Sequence, residues 1–204
     1  MHPEAITSRQ KEVLRALKLP PQFYLAGGTA LALQIGHRKS VDFDFFSSEK
    51  LPANLLAKAA ETVGKQPTVV VNEPQQLTFN IDGIEITYLY YPFPSVLPFE
   101  HYEGIRLLSV KEIACSKAYT LGRRATFKDY VDIYFIFSEN HSTLFETVDL
   151  ASKKYGEMFD PRLFLEQLVY LEDVPETEIA FLRGAVGRER IKEYFENQIK
   201  QIEL

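Results

Sequence analysis

At 204 residues, 46% apolar and with a net charge of −5, the chain has room for one globular domain or two small packed subdomains. The acidic balance argues against a surface coated in basic residues for nonspecific nucleic-acid binding, while leaving room for a local basic patch. One cysteine, Cys115, excludes an internal disulfide and fits a reducing compartment. With no long apolar run near the N-terminus, a cytoplasmic protein that neither spans nor binds a membrane is expected.

Residues 4–18 predict an amphipathic helix with Ile6, Val13, Leu14 and Leu17 near one face, ended by Pro20-Pro21. Phe23 to Ala26 reads as a buried strand and Gly27-Gly28 as a tight turn. Thr29 is the expected cap of a helix over Ala30–Ile35, with Gly36 as its stop. In Val41–Phe45 alternation sends Val41, Phe43 and Phe45 to one face. Asp42 and Asp44 share the other, roughly 7 Å apart along the strand. Pro52 to Val63 predicts a helix buried through Leu55, Leu56, Ala59, Ala60 and Val63, followed by a short strand over Thr68–Val71. Gln76–Ile81 and Ile84–Tyr90 flank Asp82-Gly83, the signal of a two-residue hairpin.

Tyr91–Pro98 carries three prolines and reads as a linker. Ile105–Leu108 is one more strand. Ser109 and Glu112 have capping-box spacing, and from there helices are expected at 110–122, 127–138, 142–155, 161–171, 176–184 and 187–202. Thr126 and Asp160-Pro161 are expected to open two of them, and Gly122 and Gly156 to close two. The expected architecture is an α/β (α+β) domain with a mixed sheet over residues 1–108 and a helical bundle over 109–204.

Two features carry chemistry. A strand, a glycine turn and a helix N-terminus present backbone N–H groups and a positive dipole end to an anion. Two carboxylates side by side repel each other, and a divalent cation such as Mg²⁺, an oxygen-seeking ion, relieves that repulsion. A phosphate cradle beside a metal-binding pair is what transfer of a nucleoside monophosphate requires. Gly27-Gly28, thirteen intervening residues and then Asp42-x-Asp44 resemble the signature of the nucleotidyltransferase superfamily. The fuller string GGTAL…HRKSVDFDFF resembles its AbiEii-type branch, toxins of bacterial type IV toxin–antitoxin pairs.

That resemblance implies a nucleotidyltransferase-like fold and NTP binding at Gly27, Gly28, Thr29, Arg38 and Ser40, with Mg²⁺ on Asp42 and Asp44. It also implies an RNA acceptor such as a tRNA 3′ end, and an antitoxin partner. The family's third carboxylate falls at Thr87, which cannot serve as a base at neutral pH. Glu85, two residues earlier, shares its strand face. A second stretch, residues 111–136, is similar to the family's pattern of a lysine, an arginine and an acidic residue opening an aromatic-rich helix. This implies roles for Lys117 and Asp129, with Asp132 one turn on. Lys117 would be a mobile charge for a triphosphate, or else a surface lysine. Arg123 and Arg124 would seat phosphate or an RNA end, or else neutralise a helix C-terminus. Thr87 keeps two other outcomes open: a nucleotide- or RNA-binding module without turnover, and transfer to a small molecule or a protein.

Overall fold

Short β-runs broken by glycine turns build the first half of the chain into one seven-stranded sheet, which the computed structural model describes within residues 1–64 and 66–201. The strands are β1 (Tyr24–Ala26), β2 (Phe43–Ser47), β3 (Thr68–Glu73), β4 (Gln76–Ile81), β5 (Ile84–Tyr90), β6 (Glu100–Tyr102) and β7 (Ile105–Leu107), in the order β3-β4-β5-β2-β1-β7-β6. The sheet is mixed. β2 runs parallel to β5 and β1 parallel to β7, and the other neighbours are antiparallel. Asp82 and Gly83, with φ of 55° and 80°, make the expected two-residue turn between β4 and β5. Glu103 and Gly104 repeat that geometry with φ of 49° and 82°, joining β7 to a β6 the sequence did not suggest.

One face of the sheet is apolar. Phe43, Phe45, Phe79, Ile86 and Tyr88 are buried on it, and the Tyr88 ring lies 5.3 Å from Phe45 and 4.9 Å from Phe23 between centroids. Helices α1 (Ser8–Ala16), α2 (Gly27–Ile35) and α3 (Leu55–Val63) supply Val13, Leu14, Leu31 and Leu55 to the same core. Helix α1 is shorter than the pattern over 4–18. Thr7 caps it, exchanging bonds with Gln10 (3.1 and 2.9 Å), after a separate 3₁₀ turn at Pro3–Ala5. The Val63 side chain expected in the α3 stripe lies outside the described residues.

The chain divides into two compact units, Met1–Ser109 and Val110–Leu204. The second is a bundle of α4 (Val110–Leu121), α5 (Phe127–Ser138), α6 (Leu144–Tyr155), α7 (Pro161–Val169) and α8 (Arg188–Lys200). Asp160 opens α7 by accepting the backbone N–H groups of Arg162 (2.9 Å) and Leu163 (3.2 Å), and Gly122 and Gly156 follow the ends of α4 and α6. The last residue expected in α8, at 202, lies outside the described residues.

The helix expected over 176–184 does not form. That segment follows Pro175 and is held by its side chains instead. Arg183 pairs with Glu139 at 2.9 Å and Phe181 packs on Phe135 at 6.2 Å. Arg188 binds the Leu171 and Val174 carbonyls just upstream. Nor does Ser109 cap α4: its hydroxyl is buried with no hydrogen-bond partner, and Glu112 pairs with Lys154. Among the described residues no helix is long and apolar enough to cross a membrane.

Candidate active site

The head of α2 differs from the expected capped helix in a way that shapes the site. Gly27 is the first helical residue, with φ of +64°, a conformation glycine adopts without steric cost. Thr29 therefore sits in the first turn rather than at its cap. Its hydroxyl donates to the Asp42 carbonyl and lies 2.7 Å from the Ser40 hydroxyl. Gln10 Nε2 donates to the Ser40 carbonyl at 2.9 Å. The segment that connects α2 to β2 is thus pinned against the head of α2 by Thr29, Ser40 and Gln10 together.

Both glycines are required by what faces them. A Cβ on Gly27 would stand 2.6 Å from Asp44 Oδ2, and one on Gly28 would strike the Arg38 guanidinium. Asp44 is held over the turn by the sheet itself, paired with Ala26 of β1 on one side and Thr87 of β5 on the other. Arg38 is buried, and its Nη1 donates to the Lys39 carbonyl at 3.1 Å. An acid and a base from the loop and strand after α2 thus cover the bare backbone of its first residues.

Asp42 is placed differently from its partner. Pairing of β2 begins at Phe43, so Asp42 and Val41 precede the strand, and both are exposed. Val41, expected in the core with Phe43 and Phe45, is 54% exposed. His37, between helix and strand, is fully buried.

Thr87 lies directly beside Asp44, at the register position where a third acid was expected. Its hydroxyl is 3.1 Å from that of Thr78 on β4, and Gln76 Nε2 donates to Thr78 at 3.0 Å. A row of neutral hydrogen-bonding groups therefore continues from Asp44 across the sheet. Glu85 is on the same face of β5 and exposed. Thr78 was not singled out from the sequence, although the Asp82-Gly83 turn fixes a register in which it must oppose Thr87.

In the helical unit, Lys117 is no mobile charge. Its Nζ lies 2.7 Å from Asp129 Oδ1 and 2.7 Å from Asp132 Oδ2, with side-chain exposures of 9%, 17% and 0%. Burial disfavours the ammonium, but the two carboxylates outweigh it and raise the Lys117 pKa. Burial likewise pushes Asp129 up, and Lys117 with Thr126 overrides it to hold Asp129 below the usual carboxylate range. Asp129 Oδ2 accepts from the Thr126 backbone N–H (3.2 Å) and hydroxyl (2.7 Å), which fixes the start of α5.

Arg123 is also committed. It donates to the Tyr119 and Met158 carbonyls at 2.8 Å each and lies 3.6 Å over the Tyr119 ring, which is the helix-end role. Arg124 is exposed. Cys115 is buried, its thiol pushed up to about 12 by burial, then by Glu112.

The sequence profile of the family described as nucleotidyl transferase AbiEii toxin, type IV TA system, matches residues 12–204. The chain belongs to the AbiEii nucleotidyltransferase toxin family. A relative in Aquifex aeolicus (strain VF5), the uncharacterized protein aq_aa25, is 31% identical over 203 residues, covering 96% of this chain and 97% of its own. Among solved structures, MenT4, the nucleotidyltransferase toxin Rv2826c from Mycobacterium tuberculosis H37Rv, matches with a TM-score of 0.65 at 17% identity, over 96% of this chain and 82% of that one. JHP933 from Helicobacter pylori matches with a TM-score of 0.53 at 17% identity, over 98% and 97%. At such identities the likeness is one of fold, and the fold is that of nucleotidyltransferase toxins.

For an AbiEii-family chain the acid inventory at the glycine turn is small. Among the described residues no group of three or more His, Cys, Asp or Glu side chains is gathered for a metal. Mg²⁺ does not need one. It is commonly held by one or two carboxylates, completed by substrate phosphates and water. The absent Cβ at Gly27 leaves Asp44 Oδ2 directly above the turn, so the donor set of Asp44, exposed Asp42 and a glycine cradle fits such an ion.

Proposed function

We propose that this AbiEii-family protein transfers a nucleoside monophosphate from an NTP to an acceptor hydroxyl, and that the acceptor is RNA, with a tRNA 3′ end as the leading candidate. The observation that carries this reading is the Asp44 carboxylate held 2.6 Å from where a Gly27 Cβ would stand. That arrangement suits a divalent cation shared between Asp44 and a phosphate at the glycine turn, which offsets the repulsion of the two negative groups. Gly27, Gly28 and Thr29 seat the NTP phosphates at the head of α2, where peptide dipoles favour anions. Arg38 adds a fixed positive charge behind Gly28, and Ser40 keeps the loop in register through Thr29. Mg²⁺ held by Asp42 and Asp44 would neutralise the phosphates and favour attack by the hydroxyl.

The hydroxyl oxygen bonds to the α-phosphorus, the bond to the bridging oxygen breaks, and pyrophosphate leaves with that electron pair. The hydroxyl proton goes to water. In the helical unit, Asp129, the more exposed carboxylate of its cluster, is the candidate catalytic residue and Lys117 positions it. Thr87 then contributes alignment of Asp44 rather than proton transfer. As a toxin, the protein would be restrained by an antitoxin.

The test uses the purified chain, Mg²⁺, each labelled NTP in turn and total bacterial tRNA, beside an Asp42→Ala/Asp44→Ala variant. Label moved by the wild type and not by the variant is the expected result. Mg-NTP that raises the melting temperature without any label transfer would favour a binding module. Label transferred only to an aminoglycoside or a protein would replace RNA as acceptor.

A further inference from the structure

Beyond Asp44, β2 carries Phe46 on the same face, and Phe46 pairs with Tyr24 of β1. This is the direction away from Gly27, because Ala26, between Tyr24 and Gly27, pairs with Asp44. Here the surface opens into a cavity of about 460 Å³ lined by Gln22, Tyr24, Ser48, Glu49, Phe99 and Arg106. Its volume falls in the range of about 300–1,000 Å³ typical of small-ligand pockets.

The lining is aromatic, cationic and polar at once. The Tyr24 and Phe99 rings are 4.9 Å apart, tilted by 40°, and so form a wedge rather than a closed stack. The Arg106 guanidinium lies 4.8 Å over the Phe99 ring. It is fixed there by donating to the Pro21 carbonyl and, at 3.3 Å, to the Phe23 carbonyl. Gln22, Ser48 and Glu49 add groups that hydrogen-bond the edge of a planar ligand. The cavity begins one residue pair from Asp44, roughly 7 Å along the strands, a distance that an extended nucleotide spans.

Direction decides the ligand. In phosphoryl transfer the attacking and leaving oxygens stand roughly in line through phosphorus. With the NTP phosphates on the Gly27-Gly28 turn, the side of Asp44 away from that turn, along Phe46 and Tyr24, is the one left for the acceptor. The partly exposed Phe99 ring, backed by buried Tyr24 and flanked by a guanidinium, is a platform for stacking a nucleobase. We propose that this cavity binds the base next to the reactive end of the RNA acceptor; the proposal rests on the nucleotidyl-transfer reading above.

Phe99→Leu keeps apolar bulk and removes the stacking face. It should raise KM for the RNA acceptor by about 10-fold, as loss of one stacked base does, and leave KM for the NTP within about two-fold. An acceptor whose penultimate nucleotide is abasic should cost the wild type a similar factor and cost Phe99→Leu almost nothing, a non-additivity that a merely destabilised variant would not produce. Additive effects, or a change in NTP KM instead, would overturn the proposal.

Binding of a labelled RNA oligonucleotide by Asp44→Asn, with and without Phe99→Leu, reads the cavity without turnover. A loss of at least five-fold in the double variant supports the cavity even if transfer fails. Equal affinity, or no binding by either, rejects it.

Discussion

The two units of this chain use buried and half-buried charge in opposite ways. In the sheet unit, Asp44 is partly exposed and its Oδ2 stands over the Gly27 backbone, where a Cβ would clash with it. In the helical unit, Lys117, Asp129 and Asp132 close on one another, and Glu112 and Lys154 form a second pair with both members buried. Asp44 is positioned by backbone register, paired with Ala26 on one side and Thr87 on the other. Asp129 and Asp132 are positioned by a buried lysine instead, Asp132 fully enclosed and Asp129 still partly exposed. Acidic residues that look alike in sequence therefore differ in what they can do.

The sharpest break of this contrast is Asp44→Asn. It should lower transfer by on the order of 10³-fold or more, about 4 kcal/mol of transition-state stabilisation, while the melting temperature stays within a few degrees. An unfolded variant would make Asp44 structural and erase the distinction.

Lys117→Met inverts the pattern. It strands two carboxylates in a buried site, at a cost of about 3–5 kcal/mol, read as a lower denaturant midpoint with unchanged slope. The same cluster predicts a pH window. Asp129 is depressed, so its contribution is complete above the unfolded value near about 4 and is lost as pH falls through the folded value. Lys117 is raised, so its contribution is complete below about 10.4 and is lost as pH rises beyond. Wild-type stability should fall at both edges, and in Lys117→Met the alkaline fall should disappear. Asp129→Asn separates substrate contact from clamping: if transfer is lost while stability drops by less than about 2 kcal/mol, Asp129 touches substrate.

Gly27→Ala is the smaller test on the sheet side. A positive φ costs alanine roughly 1–2 kcal/mol, and its methyl would displace the Asp44 oxygen. Activity should fall by more than the stability loss accounts for, measured as initial rate against fraction folded.

How much of this was legible in sequence follows the range of the interactions. The Asp82-Gly83 hairpin and the Asp160-Pro161 start were readable because a few adjacent residues determine them. The glycine turn and the Asp-x-Asp strand were readable in the same way, and Asp44 does stand against Gly27. Strand β6 was not readable, since its three residues EHY are mostly exposed and carry no alternation. The 176–184 segment has the composition of a helix, but Phe181 and Arg183 gain partners in Phe135 and Glu139, more than forty positions away in sequence, which no local pattern encodes. The cap assigned to Thr29 failed because Gly27 starts the helix early, freeing the threonine hydroxyl to hold the Asp42 carbonyl. Lys117, Asp129 and Asp132 were found as residues but not as a closed cluster, because helix spacing shows which side chains share a face and not what lies across from it.

Thr87 carries the finest prediction. Its hydroxyl bonds Thr78 at 3.1 Å beside Asp44, a neutral arrangement at the register position where a third acid was expected. Thr87→Val removes that bond and should cost about 1 kcal/mol of stability, with transfer changed by less than about three-fold if Thr87 only aligns its neighbour. Thr87→Asp places a second carboxylate directly against Asp44, and the two must then share a counter-ion or a proton. If the site holds Mg²⁺, the variant should be destabilised without the ion and recover when it is added, seen as a larger magnesium-induced rise in melting temperature than the wild type shows. A rise no larger than the wild type's would mean that Asp44 does not hold the ion, and its place beside the glycine turn would then be structural.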